Sequence, residues 1–518
     1  MNRLCFTSVS LIIVKSKFNK KKMNKIVTFM MVAGATLFMV PTAQAGGLLH
    51  NTNQHIDFVR MMARGASNEI DAVYTNPAGT AFLNHEGLTL SLNIQSAYQT
   101  RDCVTTFPLF AYTNADGNPS RKYDGDAAAP VLPSLYAVYK RGKWAGSAFF
   151  GVTGGGGKCS FGKGLPLFDA PVMAGIYSKS AQTIAAMPVL KSLIGVDALT
   201  PDMYTINTSM RGRQYIYGMQ LGGAYQVNKH FSGFLGARVN YFSGNYRGHV
   251  DATIGSAIVD KARAAMATLP PEQLAAYAPT IAALTAEGGL THLALDTDQS
   301  GWGLTPIVGV DFKWKGLTLA AKYEFKTNLH IENDTKTLEA TSLGTTSEEF
   351  TAAMLPYSDG VNTPNDLPAV LYVAAGYEFI PNKLRATVEY HFFDDKHAEM
   401  INDKQKSLKH GTHEVLAGIE WDINRIFTVS CGFQNTDYGL SDDFQTHTAF
   451  SCDSYSLGFG GAINVSRHAR INIGYFWTNY RDYKRVQEHY LNNAALPAGS
   501  DVFSRSNKVF GIGVDYKF

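Results

Sequence analysis

Residues 69–102 read EIDAVYTNPAGTAFLNHEGLTLSLNIQSAYQTRD. Turn chemistry at Asn76-Pro77-Ala78-Gly79 gives way, from Gly87 onward, to apolar and polar residues in alternation for more than a dozen positions. A strand of a soluble domain holds about 5–6 residues, whereas one that crosses a bilayer at a tilt needs about 9–11. The length of this strand therefore points toward a membrane wall.

The pattern recurs along the chain. Period-two segments are expected at 87–102, 131–141, 143–153, 211–228, 231–250, 300–315, 317–332, 367–380, 382–395, 411–424, 426–438, 452–466, 469–483 and 506–518, fourteen in all. The connections RGK, NKH, KG, PNK, DINR and SRHA each follow an even-numbered segment. The others, 103–130, 154–210, 251–299, 333–366, 396–410, 439–451 and 484–505, are long. An even set of strands with short turns on one side and long loops on the other is how bacterial outer-membrane barrels are built. Soluble β-sandwiches do not sort their loops in this way.

Side-chain parity agrees. In LTLAAKYEFK, Leu317, Leu319, Ala321, Tyr323 and Phe325 share one face, and Thr318, Lys322, Glu324 and Lys326 the other. LRATVEYHF repeats this, with Arg385, Thr387, Glu389 and His391 on the polar face. In a membrane barrel the apolar face meets lipid and the polar face lines the lumen. Arg238, Lys322, Lys326 and Arg385 then point inward. Each either meets the anionic end of a ligand or pairs with a carboxylate such as Glu324 or Glu389. The last segment, KVFGIGVDYKF, sets Phe510, Ile512, Val514, Tyr516 and Phe518 on one face.

Composition fits an all-β membrane protein: among 518 residues there are 48 Gly, 26 Tyr and 30 Phe, and only 17% are charged. A net charge of +3 implies no nucleic acid or other polyanion. The run MNKIVTFMMVAGATLFMVPTAQAGG has a basic start, a short apolar stretch and the small residues Ala43 and Ala45 around Gln44, which reads as a secretory signal cleaved before Gly46. Met23 is the expected initiator. Beyond Gly46 no apolar run reaches about 18 residues, so no helical span is expected. The chain divides into a leader and signal (1–45), an irregular segment (46–86) and the barrel (87–518).

Helix signals fall in two long connections. AIVDKARAAMATLPPEQLAAYAPTIAALTAEGG is split by Pro270-Pro271, and TSEEFTAAMLP offers Thr346 with Glu349 as a capping box. Cys103 and Cys159 fall at the outer ends of segments one and three, where a disulfide is expected. The run Gly154-Gly155-Gly156-Gly157 marks either a bend in the third strand or the start of a flexible loop. No G-x-S-x-G, H-E-x-x-H or phosphate loop occurs, so no enzyme, metal or cofactor is expected. The scattered histidines, His410, His413 and His447 among them, read as solvated loop residues.

GAS followed by DAVYTNPAGTA resembles the N-terminal hatch of the FadL-type long-chain fatty-acid transporters, with Asn76, Pro77 and Ala78 on the Asn-Pro-Ala motif and Gly79 after it. The resemblance extends to fourteen strands, helical third and fourth extracellular loops, and the segment Gly301-Trp302-Gly303. RGKWAGSAFFGVTGGGGKCSFGKGLPLF is similar to the version of the family in Bacteroidetes-type bacteria, sometimes labelled haemin receptors. It implies an outer-membrane monomer, inserted by the barrel-assembly machinery, that carries long-chain fatty acids or other hydrophobic molecules past a hatch inside the barrel. It further implies that a kink at Gly154–Gly157 opens the wall toward lipid, and that the C-terminal aromatic is an assembly signal. The alternative is a surface receptor or adhesin that binds a hydrophobic ligand such as haemin without transport.

Overall fold

The computed structural model describes residues 47–518, apart from 187–190, 192–194, 269, 273–274, 276–281, 283–285, 343–344, 347–350 and 352–353. The leader, the expected cleavage site and Glu349 of the expected capping box lie outside the described residues. Fourteen antiparallel strands close into a barrel. They are β1 (Gly87–Thr106), β2 (Ser120–Arg141), β3 (Trp144–Phe161), β4 (Tyr204–Gln226), β5 (Phe231–Ile254), β6 (Thr291–Trp314), β7 (Leu317–Glu324), β8 (Val370–Ile380), β9 (Leu384–Phe393), β10 (Thr412–Asp422), β11 (Phe427–Asp437), β12 (Ser454–Asn464), β13 (Ala469–Tyr480) and β14 (Gly499–Lys517). Neighbours in sequence pair with one another, and β1 pairs with β14 from Thr89↔Lys517 to Thr106↔Ser500, so the sheet has no free edge. Beyond a break, β7 resumes as His330–Ser342 against β6.

Each strand is amphipathic in the sense expected. On β7, Leu319 and Tyr323 face outward and are exposed, while Thr318, Lys322 and Glu324 are buried inside. On β14, Phe510, Ile512, Val514 and Tyr516 face outward, with Asn507 and Asp515 inside. Among the described residues no helix is long and apolar enough to cross a membrane; the strands cross it. The barrel is of the outer-membrane type.

Several strands run further outward than expected, and there the alternation changes sense. On β4 the outward residues Leu221, Met219, Tyr217 and Tyr215 are followed by Arg213 and Arg211, while Met210 turns inward. On β5, Tyr246 and Val250 are buried inside and Arg247 lies outside. Above the apolar belt the wall is a soluble protein with water outside and an apolar interior. Its core, with Phe107, Tyr123, Phe161, Met210, Tyr246 and Leu293, is roofed by a helix (Pro166–Ala186). That helix lies in the second long connection, where none was expected, and Pro171 inside it masks its signal. A second helix, Ser256–Met266, lies in the third connection as expected. Helices among the described residues therefore lie in the second and third connections, and most of the helix expected in the fourth, at 346–356, falls on residues outside the described ones.

Candidate functional site

The N-terminal segment, residues 47–86, occupies the lumen. A short helix, Ile56–Arg60, lies against the inner faces of β11 to β13. The wall makes room for it with glycine: a Cβ on Gly432 would collide with the Met62 backbone, one on Gly458 with the Val59 carbonyl, and one on Gly474 with Val59 and Arg60. Arg60, the last residue of the helix, and Arg64, in the irregular stretch after it, then anchor the segment by charge. Arg60 binds Asp57 at 2.7 Å, Ser430 at 2.7 Å and the buried Glu420 of β10. Arg64 reaches Asp71 at 2.6 Å, Glu69 at 2.8 Å and Glu420 at 3.4 Å. A buried ion cluster with several charge-assisted bonds fixes one docked arrangement, because removing one partner strands the others. This cluster was not apparent from the sequence; the RMMAR spacing was its only signal.

Asn76-Pro77-Ala78-Gly79 opens a 3₁₀ turn, Pro77–Phe82. The Asn76 side chain accepts from the Gly79 amide, and its amide donates to Ser67 and to Asp311 on β6. The hydroxyl of Ser232 on β5 donates to the Ala78 carbonyl at 2.7 Å. The motif thus seats the segment against β5 and β6.

The four inward cations are paired. Arg238 makes two bonds to Glu324, at 2.7 and 2.8 Å, and a third to Gln220. Lys322 donates to Glu324 at 2.7 Å and to the Tyr74 carbonyl at 2.6 Å. Lys326 pairs with Asp366 at 3.0 Å, and Arg385 with Asp422 at 2.7 Å and with Glu420. Of the two roles considered for them, the geometry supports carboxylate pairing. Cys103 and Cys159 are both free, which corrects the expected disulfide. Cys103 stands opposite Tyr123 and Cys159 opposite Ala127, so β2 runs between them. Strands lie about 4.7–4.9 Å apart, which puts two cysteines separated by a strand and by register beyond bonding reach. His447, expected to be solvated, is buried against Asp501 at 2.9 Å and Tyr490 at 3.0 Å.

The glycine run lies within β3, not at a loop boundary, and the wall is interrupted beside it. Strands β2 and β3 pair from Asp126↔Ser160 to Ala128↔Lys158 and again from Leu135↔Phe150 to Arg141↔Trp144, with no pairs between. Pro130 and Pro133 sit on the β2 side of this break, where proline has no amide to give to a ladder. On the β3 side the register to β4 slips twice, and Gly155 and Gly157 take φ of +94° and +71°, a region that favours glycine. The N-terminal segment backs the break. His50 bridges Gly154, the Asn51 amide donates to the Thr153 carbonyl at 2.8 Å, and the Gln54 side chain both donates to the Val152 carbonyl (2.7 Å) and accepts from the Val152 amide (3.0 Å). The void left at the break is only about 10 Å³.

Directly above lies an apolar pocket of about 70 Å³ lined by Leu48, Leu49, Phe242, Ile331, Met400 and Phe444. One charge enters it. Lys404, in the connection between β9 and β10, is buried with its ammonium 4.6 Å from the centre of the Phe444 ring and, among the described residues, has no carboxylate partner. Burial pushes its pKa down to about 7, with Arg485 adding to the effect. Nothing in IND-Lys404-QKSLKH distinguishes this lysine from its neighbours. On the opposite, inner face the short turns enclose a polar vestibule of about 740 Å³, which reaches the underside of the segment at Arg64 and Glu69.

Solved structures share this architecture. A FadL homologue from Pseudomonas aeruginosa superposes with a TM-score of 0.61 at 13% identity, over 91% of this chain and 100% of that one. The fold is that of the FadL-type barrels. The toluene transporter TodX of Pseudomonas putida superposes with a TM-score of 0.50 at 13% identity, over 93% of this chain and 100% of that one. No family model matches this chain, and no curated protein does.

Proposed function

We propose that the protein carries hydrophobic molecules passively across the outer membrane, long-chain fatty acids first among them, and releases them sideways into the bilayer. The observation that carries this reading is the apolar pocket with one unpaired, buried lysine, stacked on a wall break that the chain's own N-terminus covers. Ligand pockets run to about 300–1,000 Å³, so the present space takes an acyl chain only when Leu48 and Leu49 leave it. Their departure also withdraws the strand that backs Gly154, since the Leu49 carbonyl abuts that glycine. Entry and exit are thereby linked. Exit into lipid is favoured because each methylene is worth about 0.8 kcal/mol of burial, which a chain crossing bare water would forfeit. The fold-level likeness to a FadL homologue and to a toluene transporter supports the same class of cargo.

Lys404 suits a carboxylate. Binding of palmitate and of hexadecane to the purified protein, measured for the native chain and for Lys404→Met, tests this. The variant should weaken the acid by about tenfold or more, the scale of one charge-assisted bond, and leave the alkane unchanged. Equal loss for both, or for neither, would remove the lysine from the site. Binding without uptake by cells that express the native protein would favour the receptor reading.

A further inference from the structure

Outside the barrel, just above the apolar belt, β3, β4 and β5 carry four outward cations. Lys158 stands directly opposite Arg213, and Arg211 directly opposite Arg247. Arg211 and Arg213 are two residues apart and so share the outer face. Residues directly opposite on an antiparallel pair have Cβ atoms about 4.5–5.5 Å apart, and like charges placed so destabilise the sheet. Arg247 has Asp296 at 2.9 Å, whereas Lys158, Arg211 and Arg213 have no carboxylate partner among the described residues. Asp126 is the nearest outward acid to Lys158, being opposite its second neighbour Ser160, and it makes no bridge to it. Above the cations, Ser209 and His249 continue the polar face, joined to each other at 3.1 Å.

The height of this patch decides its partner. The aromatic residues Tyr215 and Tyr217 on β4, with Tyr241 on β5 tilted against Trp302 on β6 at 4.3 Å between ring centres, mark the upper edge of the belt. Barrels place such girdles at the membrane interface. Arg213 is the next outward residue beyond Tyr215. What lies beside a barrel wall at that level is the headgroup layer of the outer leaflet. We infer that Lys158, Arg211, Arg213 and Arg247 form a binding site for the phosphate of an outer-leaflet glycolipid of the lipid A class. The fork of each guanidinium suits phosphate oxygens, and a bound dianion relieves the repulsion between the facing cations. The site does not depend on what the lumen carries.

The test is native mass spectrometry of the full-length mature protein in detergent, titrated with phosphorylated lipid A, with the same lipid A after enzymatic dephosphorylation, and with inorganic phosphate. The native protein should hold phosphorylated lipid A at least about tenfold more tightly than the dephosphorylated form, with millimolar inorganic phosphate failing to displace it. The triple variant Lys158→Gln, Arg211→Gln, Arg213→Gln should lose that preference. Lys122→Gln, which touches only the Asp102 and Asp124 pair outside the patch, should keep it. Because all three substituted residues are exposed, the triple variant should retain the heat-modifiable migration of a folded barrel, which is checked first. If the triple variant does not fold, Arg213→Gln alone is used and should halve the preference or more. Equal affinity for the two lipids, an unchanged preference in the folded variant, or displacement by inorganic phosphate would each overturn the assignment.

Discussion

Replacing Gln54 with Leu should loosen the N-terminal segment from the broken wall without disturbing the barrel. The Gln54 side chain takes the place of a missing strand: its amide donates to the Val152 carbonyl and its oxygen accepts from the Val152 amide. Leucine keeps the bulk and makes neither bond. The carbonyl retains the Asn51 side-chain amide at 3.2 Å, so it loses one bond of about 1 kcal/mol, but the amide is left buried without its partner at about 1–3 kcal/mol. Together these weaken docking by about 2–4 kcal/mol, equivalent to roughly 30- to 1,000-fold in the fraction of molecules with the break uncovered. Hydrogen exchange at the Asn51 amide reads this directly, since that amide keeps its 2.8 Å bond to the Thr153 carbonyl in the variant and exchanges only when the segment lets go. Exchange there should quicken by about that factor, while the paired amides of β5 and β6 stay unchanged. Uptake of a labelled fatty acid should rise with it. Exchange at Asn51 that does not change in a folded Gln54→Leu barrel would refute the view that this segment closes the wall.

Other consequences are as open to measurement. Replacing Gly154 and Gly155 with Val should fill the space against Leu49 and Gln214, strain the positive φ of Gly155 and lower fatty-acid uptake while heat-modifiable migration is retained; unchanged uptake would rule out exit at this position. Lys404 holds its proton only below pH about 7 in the folded chain but up to about 10.5 when unfolded. The unfolded state therefore binds more protons between those values, so stability rises with pH across that window, and Lys404→Met should flatten the rise in a denaturation series. In the native protein, palmitate affinity should fall as pH climbs above about 7 and hexadecane affinity should not. Deleting residues 46–85 should leave a barrel that conducts ions across planar bilayers more readily than the intact protein, and equal conductance would show that the segment does not block the lumen.

The wall was legible in the sequence because each membrane-crossing strand repeats one contrast, lipid against lumen, over enough residues for parity to appear. The outer ends were not. At Arg213 on β4 and Arg247 on β5 the outward face turns polar and the inward face apolar, so a reader following the lower pattern stops where the alternation slips. The helix Pro166–Ala186 hid behind Pro171 for a different reason, since its position in a roof over the barrel, and not local propensity, holds it together. Asn76-Pro77-Ala78 carried its meaning in its own turn chemistry. Lys404 did not: a lysine in a polar loop becomes a buried charge only when Phe444, Leu48 and Met400 arrive from far along the chain. The break beside Gly154 was half visible, in the glycines, and the prolines across from them at Pro130 and Pro133 completed it.

The closed seam between β1 and β14 imposes an order in time. The N-terminal segment is made first and β14 last, yet the segment ends up enclosed by the strand that finishes the wall. Its ion cluster reaches Glu420 on β10, and its helix rests on the glycines of β11 to β13, so these contacts must be set while the sheet is still an open ribbon. A barrel that shuts without the segment could receive a separately supplied peptide of that sequence only by way of the vestibule, because the roof covers the other end.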